Sequence, residues 1–168
     1  MSTADARLAI QDALYTYARG VDRLDFDLIR SCYHPGAVDD HGGYVGDVEG
    51  LIDDIRQRHE TIDSSQHLML NIMIEFDSDT SALVESHCLV FMRWFPEVDG
   101  GPQRRRTVRA RLIDRFELRA GQWKTARRVV AFEESVEDDV VDLVGPTWTR
   151  STRDRTDPLY RLQELSER

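Results

Sequence analysis

Four side chains in this sequence are of types that together can move a proton: Tyr17, Asp22, His67 and Arg128. Asp22 closes an amphipathic stretch that runs from Ala9-Ile10-Gln11-Asp12 through Tyr17 to Gly20-Val21-Asp22, and His67 opens an apolar run after Ser64-Ser65-Gln66. A carboxylate held against an imidazole fixes the ring tautomer and favours the imidazolium, so the other ring nitrogen becomes a stronger base. Arg128, in Trp123-Lys124-Thr125-Ala126-Arg127-Arg128, supplies a third member, and either it or Tyr17 would stabilise developing negative charge. Each also has an ordinary reading. Asp22 could be the first carboxylate of a loop shared with Asp25 and Asp27, His67 a satisfied strand histidine, and Tyr17 a core aromatic.

Geometry constrains these residues further. On an ideal helix Tyr17 and Asp22 point about 140° apart, so their convergence requires the helix to end between them, and Gly20 is placed to end it. Alternation along a strand puts Arg128 with Ala126, Val130 and Phe132, the more apolar set, and Arg127 on the opposite face. An inward arginine needs an anion, either Asp22 or an oxyanion of the substrate. His67 falls with Met69, Asn71 and Met73, whereas the stronger apolar face is Leu68, Leu70, Ile72, Ile74 and Phe76. Either a β-bulge changes the facing or the apolar side is covered by another copy of the chain. The other histidines read as a helix-end residue (His34), a turn residue (His41), an exposed helix position (His59) and a strand-face residue (His87). His87 reaches a pocket only if its strand face, shared with Glu85, Leu89 and Phe91, turns inward.

The elements that must hold these groups follow from periodicity. Ala6, Ile10, Leu14 and Tyr17 have helical spacing from Thr3 to about Gly20, with Ser2 or Thr3 as cap. Asp25 caps a short helix over Phe26 to Tyr33, which His34-Pro35-Gly36 terminates. Ala37-Val38 and Tyr44-Val45 flank a hairpin at Asp39-Asp40-His41-Gly42-Gly43. Asp47 caps a third helix from Val48 to about Ile62. Four strands then span His67 to Phe76, Ser81 to Phe95, Arg104 to Leu118, and Gln122 to about Glu134. Helices first and antiparallel strands after predict an α+β domain over residues 1–145, with a curved sheet around a pocket. Residues 146–168 read as a polar C-terminal arm, either a surface arm or partner contact in which Pro158 could start a short helix, or a disordered tail.

Composition bounds the function. The chain has 168 residues, 40% of them hydrophobic, enough for one domain that buries a core and still encloses a pocket. A net charge of -9 argues against nucleic acid, and Arg104-Arg105-Arg106 reads as a solvated hairpin entry. No apolar run approaches a membrane span, and acidic Asp5 near the start does not fit a signal segment, so a cytoplasmic protein is expected. Cys32 and Cys88 are isolated thiols without metal-site spacing and read as small buried apolar residues; no metal or cofactor is expected.

Ala9-Ile10-Gln11-Asp12, the following Val21-Asp22, the lone His67 opening its strand, and the Gly121-Gln122-Trp123-Lys124 hairpin with Arg128 beyond it carry a family resemblance. Over roughly Ala4 to Glu134 the chain resembles the SnoaL-like branch of the NTF2-like superfamily, the group of scytalone dehydratase, hexachlorocyclohexane dehydrochlorinase and bile-acid 7α-dehydratase. The resemblance implies a cone of three N-terminal helices packed on a strongly curved antiparallel sheet. It also implies a dyad of Asp22 and His67, with Arg128 binding substrate or stabilising charge. Tyr17 matches the dehydratase, where the dehydrochlorinase has lysine, which puts halide elimination in doubt. The implied activity is that of a cofactor-independent lyase or isomerase on a hydrophobic ring substrate, with dehydration preferred, in a homodimer or homotrimer. The competing class is a non-catalytic ligand-binding or structural subunit, like the small subunit of ring-hydroxylating dioxygenases.

Overall fold

The computed structural model describes residues 2–140, 145 and 147–166. The first helix, α1 (Thr3–Arg23), starts in a capping box: Ser2 Oγ accepts from the Asp5 amide, and the Asp5 carboxylate accepts from the Ser2 amide. Its buried stripe is Ala6, Ile10, Leu14, Tyr17 and Val21, the expected one extended by a turn. Gly20 does not end the helix. A Cβ there would lie 2.9 Å from Ile29 Cγ1, so the glycine serves to let α2 (Phe26–Ser31) pack closely. The helix ends at Leu24, whose φ of 52° is left-handed.

Helix α2 stops short of Tyr33, because Tyr33 is already paired with Thr125 in the sheet. His34-Pro35-Gly36 therefore lies inside a strand, β1 (Tyr33–Asp40), whose register shifts across it, and His34 is a buried strand residue rather than a helix end. The expected hairpin is present, with β1 joined antiparallel to β2 (Val45–Gly46). Helix α3 (Val48–Arg58), capped by Asp47, ends four residues before Ile62 because Ile62 starts β3 (Ile62–Ser78). The remaining strands are β4 (Ser81–Trp94), β5 (Arg104–Arg119) and β6 (Gln122–Asp139). A fourth helix, α4 (Pro158–Ser166), follows in the C-terminal arm, so the described residues hold four helices where the cone expectation counted three. The expected change from domain to arm at residue 145 adjoins residues 141–144 and 146, which lie outside the described residues.

The strands form one curved sheet in the order β2-β1-β6-β5-β4-β3. It is not wholly antiparallel: β1 runs parallel to β6. Whole helices and strands separate those two in sequence, so no hairpin geometry constrains their direction. The facing conflict in β3 is resolved by a bulge between Leu70 and Met73, where Asn71 adopts φ 48°. Before it Ser65, His67 and Met69 turn inward; after it Ile72, Ile74 and Phe76 do, while Leu70 and Met73 stay exposed.

At the centre of the inner face lies an ion pair. In β5, Val108, Ala110, Leu112, Asp114 and Phe116 alternate inward, and Asp114 meets Arg128 of β6. Arg128 is 1% exposed and binds Asp114 through two bonds, Nε to Oδ1 at 2.7 Å and Nη2 to Oδ2 at 2.9 Å. Burial opposes the guanidinium charge, but the Asp114 carboxylate, with Tyr33 and Tyr17 adding to it, holds the arginine pKa well above its ordinary value. Removing one partner would strand the other charge in the core. Asp114→Ala should therefore cost about 3–5 kcal/mol in urea unfolding, whereas Asp114→Leu combined with Arg128→Met should recover most of that loss. A single Asp114→Ala variant as stable as the parent would show that the pair is not what holds this part of the core.

Candidate active site

The C-terminal turn of α1 and the start of β3 bring Asp22 and His67 together. Asp22 Oδ1 accepts from His67 Nδ1 at 2.7 Å and from Ser65 Oγ at 3.0 Å, while Oδ2 accepts from the His67 backbone amide at 2.9 Å. One carboxylate thus grips both the ring and the backbone of the same histidine. An ionised carboxylate can only accept, so the ring proton sits on Nδ1 and Nε2 carries the lone pair. Nε2 has no hydrogen-bond partner among the described residues and is not sealed from open space.

His67 is the wall between two hollows. Asp22 lines one of them with Arg19, Ser64 and Gln66. The other, a cavity of about 330 Å³, is lined by Tyr17, Val21, His41, Ile55, His59, Val90, Met92, Val108 and Phe132 among others. It is mostly apolar with a few convergent polar groups, the character of a small-molecule site. Tyr17 and Asp22 therefore do not converge: the helix continues between them, and they line different hollows that share His67. A larger hollow of about 710 Å³, under the loop between β4 and β5, has polar groups such as Arg104 and Glu137 that are already paired at 3.0 Å. It contains no imidazole.

Arg128 is not beside Asp22, and Asp22 is not its anion. Its partner is Asp114, and its remaining nitrogen, Nη1, donates to Tyr33 Oη at 3.0 Å. Tyr33 Oη in turn donates to Asp39 Oδ2 at 2.6 Å, and His41 Nδ1 donates to Asp39 Oδ1 at 3.3 Å. Burial works against the Asp39 charge, but the His41 hydrogen bond and the Arg128 charge overcome it and hold its pKa below the usual range. Arg128 touches the site through Tyr17, whose ring centroid lies 4.3 Å from the guanidinium carbon. Desolvation drives the Tyr17 phenol pKa well above its ordinary value, against the pull of Arg128, so it stays protonated.

Two further residues were not legible as site members. His59, read as an exposed helix position, is the C-cap of α3, 5% exposed and part of the cavity wall. Arg153 of the arm donates Nε to the Asp22 carbonyl (3.0 Å), Nη1 to the Ile62 carbonyl (3.2 Å), and Nη2 to both the Val21 carbonyl (2.9 Å) and His59 Nδ1 (2.7 Å). A cation at the end of α1 also complements the helix dipole. Burial lowers the Arg153 pKa to about 10, which leaves it cationic at neutral pH. Asp114 did have a sequence signal, as an acid in the middle of an alternating apolar face; Arg153, in a polar tail, had none. His87 points away from the cavity: on β4 the inward residues are Ser86, Cys88 and Val90. Cys32 and Cys88 are unpaired and buried. Among the described residues no three His, Cys, Asp or Glu side chains are grouped as metal ligands.

Solved structures share this architecture. A protein from Novosphingobium aromaticivorans, provisionally called a scytalone dehydratase, superposes with a TM-score of 0.70 at 17% identity, covering 88% of this chain and 97% of that one. Hexachlorocyclohexane dehydrochlorinase LinA-type3 from Novosphingobium barchaimii superposes with a TM-score of 0.72 at 20% identity, covering 85% and 97%. A protein of unknown function with a cystatin-like fold from Nostoc punctiforme gives 0.62 at 15% identity, covering 79% and 94%. No curated protein matches in sequence. At these identities the structures speak for the fold alone. The family model of the SnoaL-like domain matches residues 2–129, which hold Tyr17, Asp22, His67 and Arg128, and the chain belongs to the SnoaL-like family.

Proposed function

We propose that the protein is a cofactor-independent lyase or isomerase acting on hydrophobic ring compounds of polyketide, steroid or aromatic type, with dehydration its preferred reaction. The observation that supports this most directly is the 2.7 Å contact of Asp22 with His67 Nδ1, reinforced by the 2.9 Å bond to the His67 amide. His67 Nε2 takes a proton from carbon next to a carbonyl, and Asp22 orients the ring and stabilises the imidazolium that forms. Of the two groups considered for the developing negative charge, Tyr17 lines the cavity and is a protonated donor; Arg128 acts from behind it. Isomerisation and ring closure begin with the same proton abstraction. A purely structural subunit has no use for this dyad beside an apolar cavity. The outer face of the sheet, where Leu70, Met73 and Leu83 are exposed, is the surface for a homodimer or homotrimer, and the unpaired Cys32 and Cys88 suit the reducing cytoplasm.

Solvent exchange tests this without the physiological substrate. In deuterated buffer the protein should catalyse α-deuteration of cyclic and aromatic ketones, followed by proton NMR, and should release water from their β-hydroxy derivatives. His67→Ala should slow exchange by ~10²–10⁴-fold with its melting temperature unchanged. Asp22→Asn keeps the shape but puts an amide donor within reach of Nδ1, so it should lose most activity, and the double variant should be little worse than either single one. Exchange at the parental rate in His67→Ala would end the proposal.

Tyr17→Phe separates charge stabilisation from proton abstraction. It retains the ring stacked on Arg128 and removes only the hydroxyl, so kcat should fall by ~10²–10³-fold while circular dichroism and stability stay close to the parent. An unchanged kcat would exclude the phenol from the reaction.

A further inference from the structure

We propose that His59 is a hydrogen-bond donor of this site, a neutral imidazole that holds the substrate's carbonyl oxygen through Nε2–H, and that Arg153 is the positioning residue that fixes its tautomer. The proposal rests on the proton-abstraction reading of His67 and names the group at the other end of the reacting bond. It follows from which atoms can donate. A guanidinium has donors only, so at 2.7 Å from Arg153 Nη2 the His59 Nδ1 must be the acceptor. A neutral imidazole that accepts on Nδ1 carries its proton on Nε2.

That nitrogen is placed for work. His59 lines the cavity with Tyr17 and His67; its Nε2 has no partner among the described residues, yet it is not one of the polar atoms sealed from open space. Burial, and then the charges of Arg153 and Arg58 with smaller contributions from His67 and His41, push the His59 pKa down to about 3. Among the described residues Asp54 is the one acid of the cavity wall, and it is occupied by Arg58 at 2.7 Å. His59 thus remains an uncharged donor at neutral pH, a state in which an imidazole can polarise a carbonyl. His67 has the opposite tautomer, with its proton on Nδ1 and its lone pair on Nε2. The cavity therefore presents one imidazole as base and another as donor.

This pairing selects a substrate class. When His67 Nε2 takes the α-proton, the C–H electrons form the carbon–carbon bond of an enolate and the carbonyl π electrons move to oxygen. His59 Nε2–H and the Tyr17 hydroxyl meet that oxygen. In a β-hydroxy ketone the enolate then reforms the carbonyl and expels the hydroxyl, which leaves as water with the proton held by His67. A chlorinated hydrocarbon gives such donors no oxygen to hold. The substrate is accordingly a carbonyl-bearing ring, a cyclic β-hydroxy ketone or its equivalent.

Two measurements test the assignment. In protein labelled with ¹⁵N-histidine, long-range proton–nitrogen correlation should show His59 neutral and protonated at Nε2 from pH 5 to 8, with His59→Ala identifying the signal. Arg153→Lys should retain that tautomer, whereas Arg153→Met should admit the Nδ1–H form and let the ring titrate closer to an ordinary histidine. A His59 that is protonated at Nδ1, or that titrates near pH 6.5 in the parent protein, overturns the proposal. The second probe is 4-nitrophenol, an aromatic ring with an ionisable oxygen and a visible phenolate band. At a pH below its solution pKa, the parent should hold it with a phenolate-to-phenol ratio at least tenfold higher than His59→Ala does. Equal bound phenolate in parent and His59→Ala, or none in the parent, overturns the donor role. If His67→Ala holds phenolate as the parent does, it is the base reading that fails.

Discussion

The buried pair of Arg128 and Asp114 is the constraint on which the inner face of this sheet depends. A guanidinium inside an apolar core is tolerable only when its charge is matched and its nitrogens are satisfied, and here Asp114 and Tyr33 do both. Satisfying it fixes the register of β5 against β6 and brings β1 to the edge of β6, because Tyr33 at the start of β1 must reach Nη1. The same guanidinium presents its face to Tyr17 of α1. The guanidinium thereby ties β6 to the first helix directly behind Tyr17 of the cavity wall. The chain of bonds continues through Asp39 to His41, so the inner core and the cavity rim share a hydrogen-bonded path.

The dyad is positioned by different means. Asp22 sits in the last turn of a helix, and the arm supplies Arg153, which donates to the Asp22 and Val21 carbonyls there while also binding His59. The arm is anchored to the helical layer a second time, Arg23 lying 3.6 Å from Asp157. The carboxylate faces the other way, toward the β3 backbone. Its bond to the His67 amide takes up a strand donor, so the site is part of the architecture of the strand and not an ornament on it. Gly20 contributes indirectly: its lack of a side chain lets α2 close against α1, and the helix can then extend to Asp22 without a break.

Strand bulges reconcile two demands on β3. A uniform strand would place His67 on the same face as Met73, which is 61% exposed, and would turn Ile74 away from the core in which it is buried. The extra residue at Asn71, in a left-handed conformation that asparagine tolerates better than most, lets His67 face the cavity and Ile74 the core. The outer face keeps Leu70 and Met73 among charged neighbours such as Glu85 and Arg111, themselves paired at 2.9 Å.

Most helices and strands of this chain are written in local sequence. Periodicity of Ala6, Ile10, Leu14 and Tyr17, caps at Ser2, Asp25 and Asp47, and alternation in the strands are local properties, written in side-chain chemistry over a few residues. The pairing of Asp22 with His67 was legible only through the family pattern, since the two are 45 residues apart and neither position is unusual alone. The remainder came from packing. Whether Gly20 ends a helix, whether Tyr33 is helix or strand, and which anion Arg128 meets all depend on what packs against them, and a local preference of a fraction of a kcal/mol yields to a sheet ladder or a buried charge. His59 and Arg153 are the extreme case. A helix-end histidine and an arginine in a polar tail acquire chemistry only when the chain folds back and one becomes the fixed donor to the other, because a tautomer is a property of the contact and not of the residue.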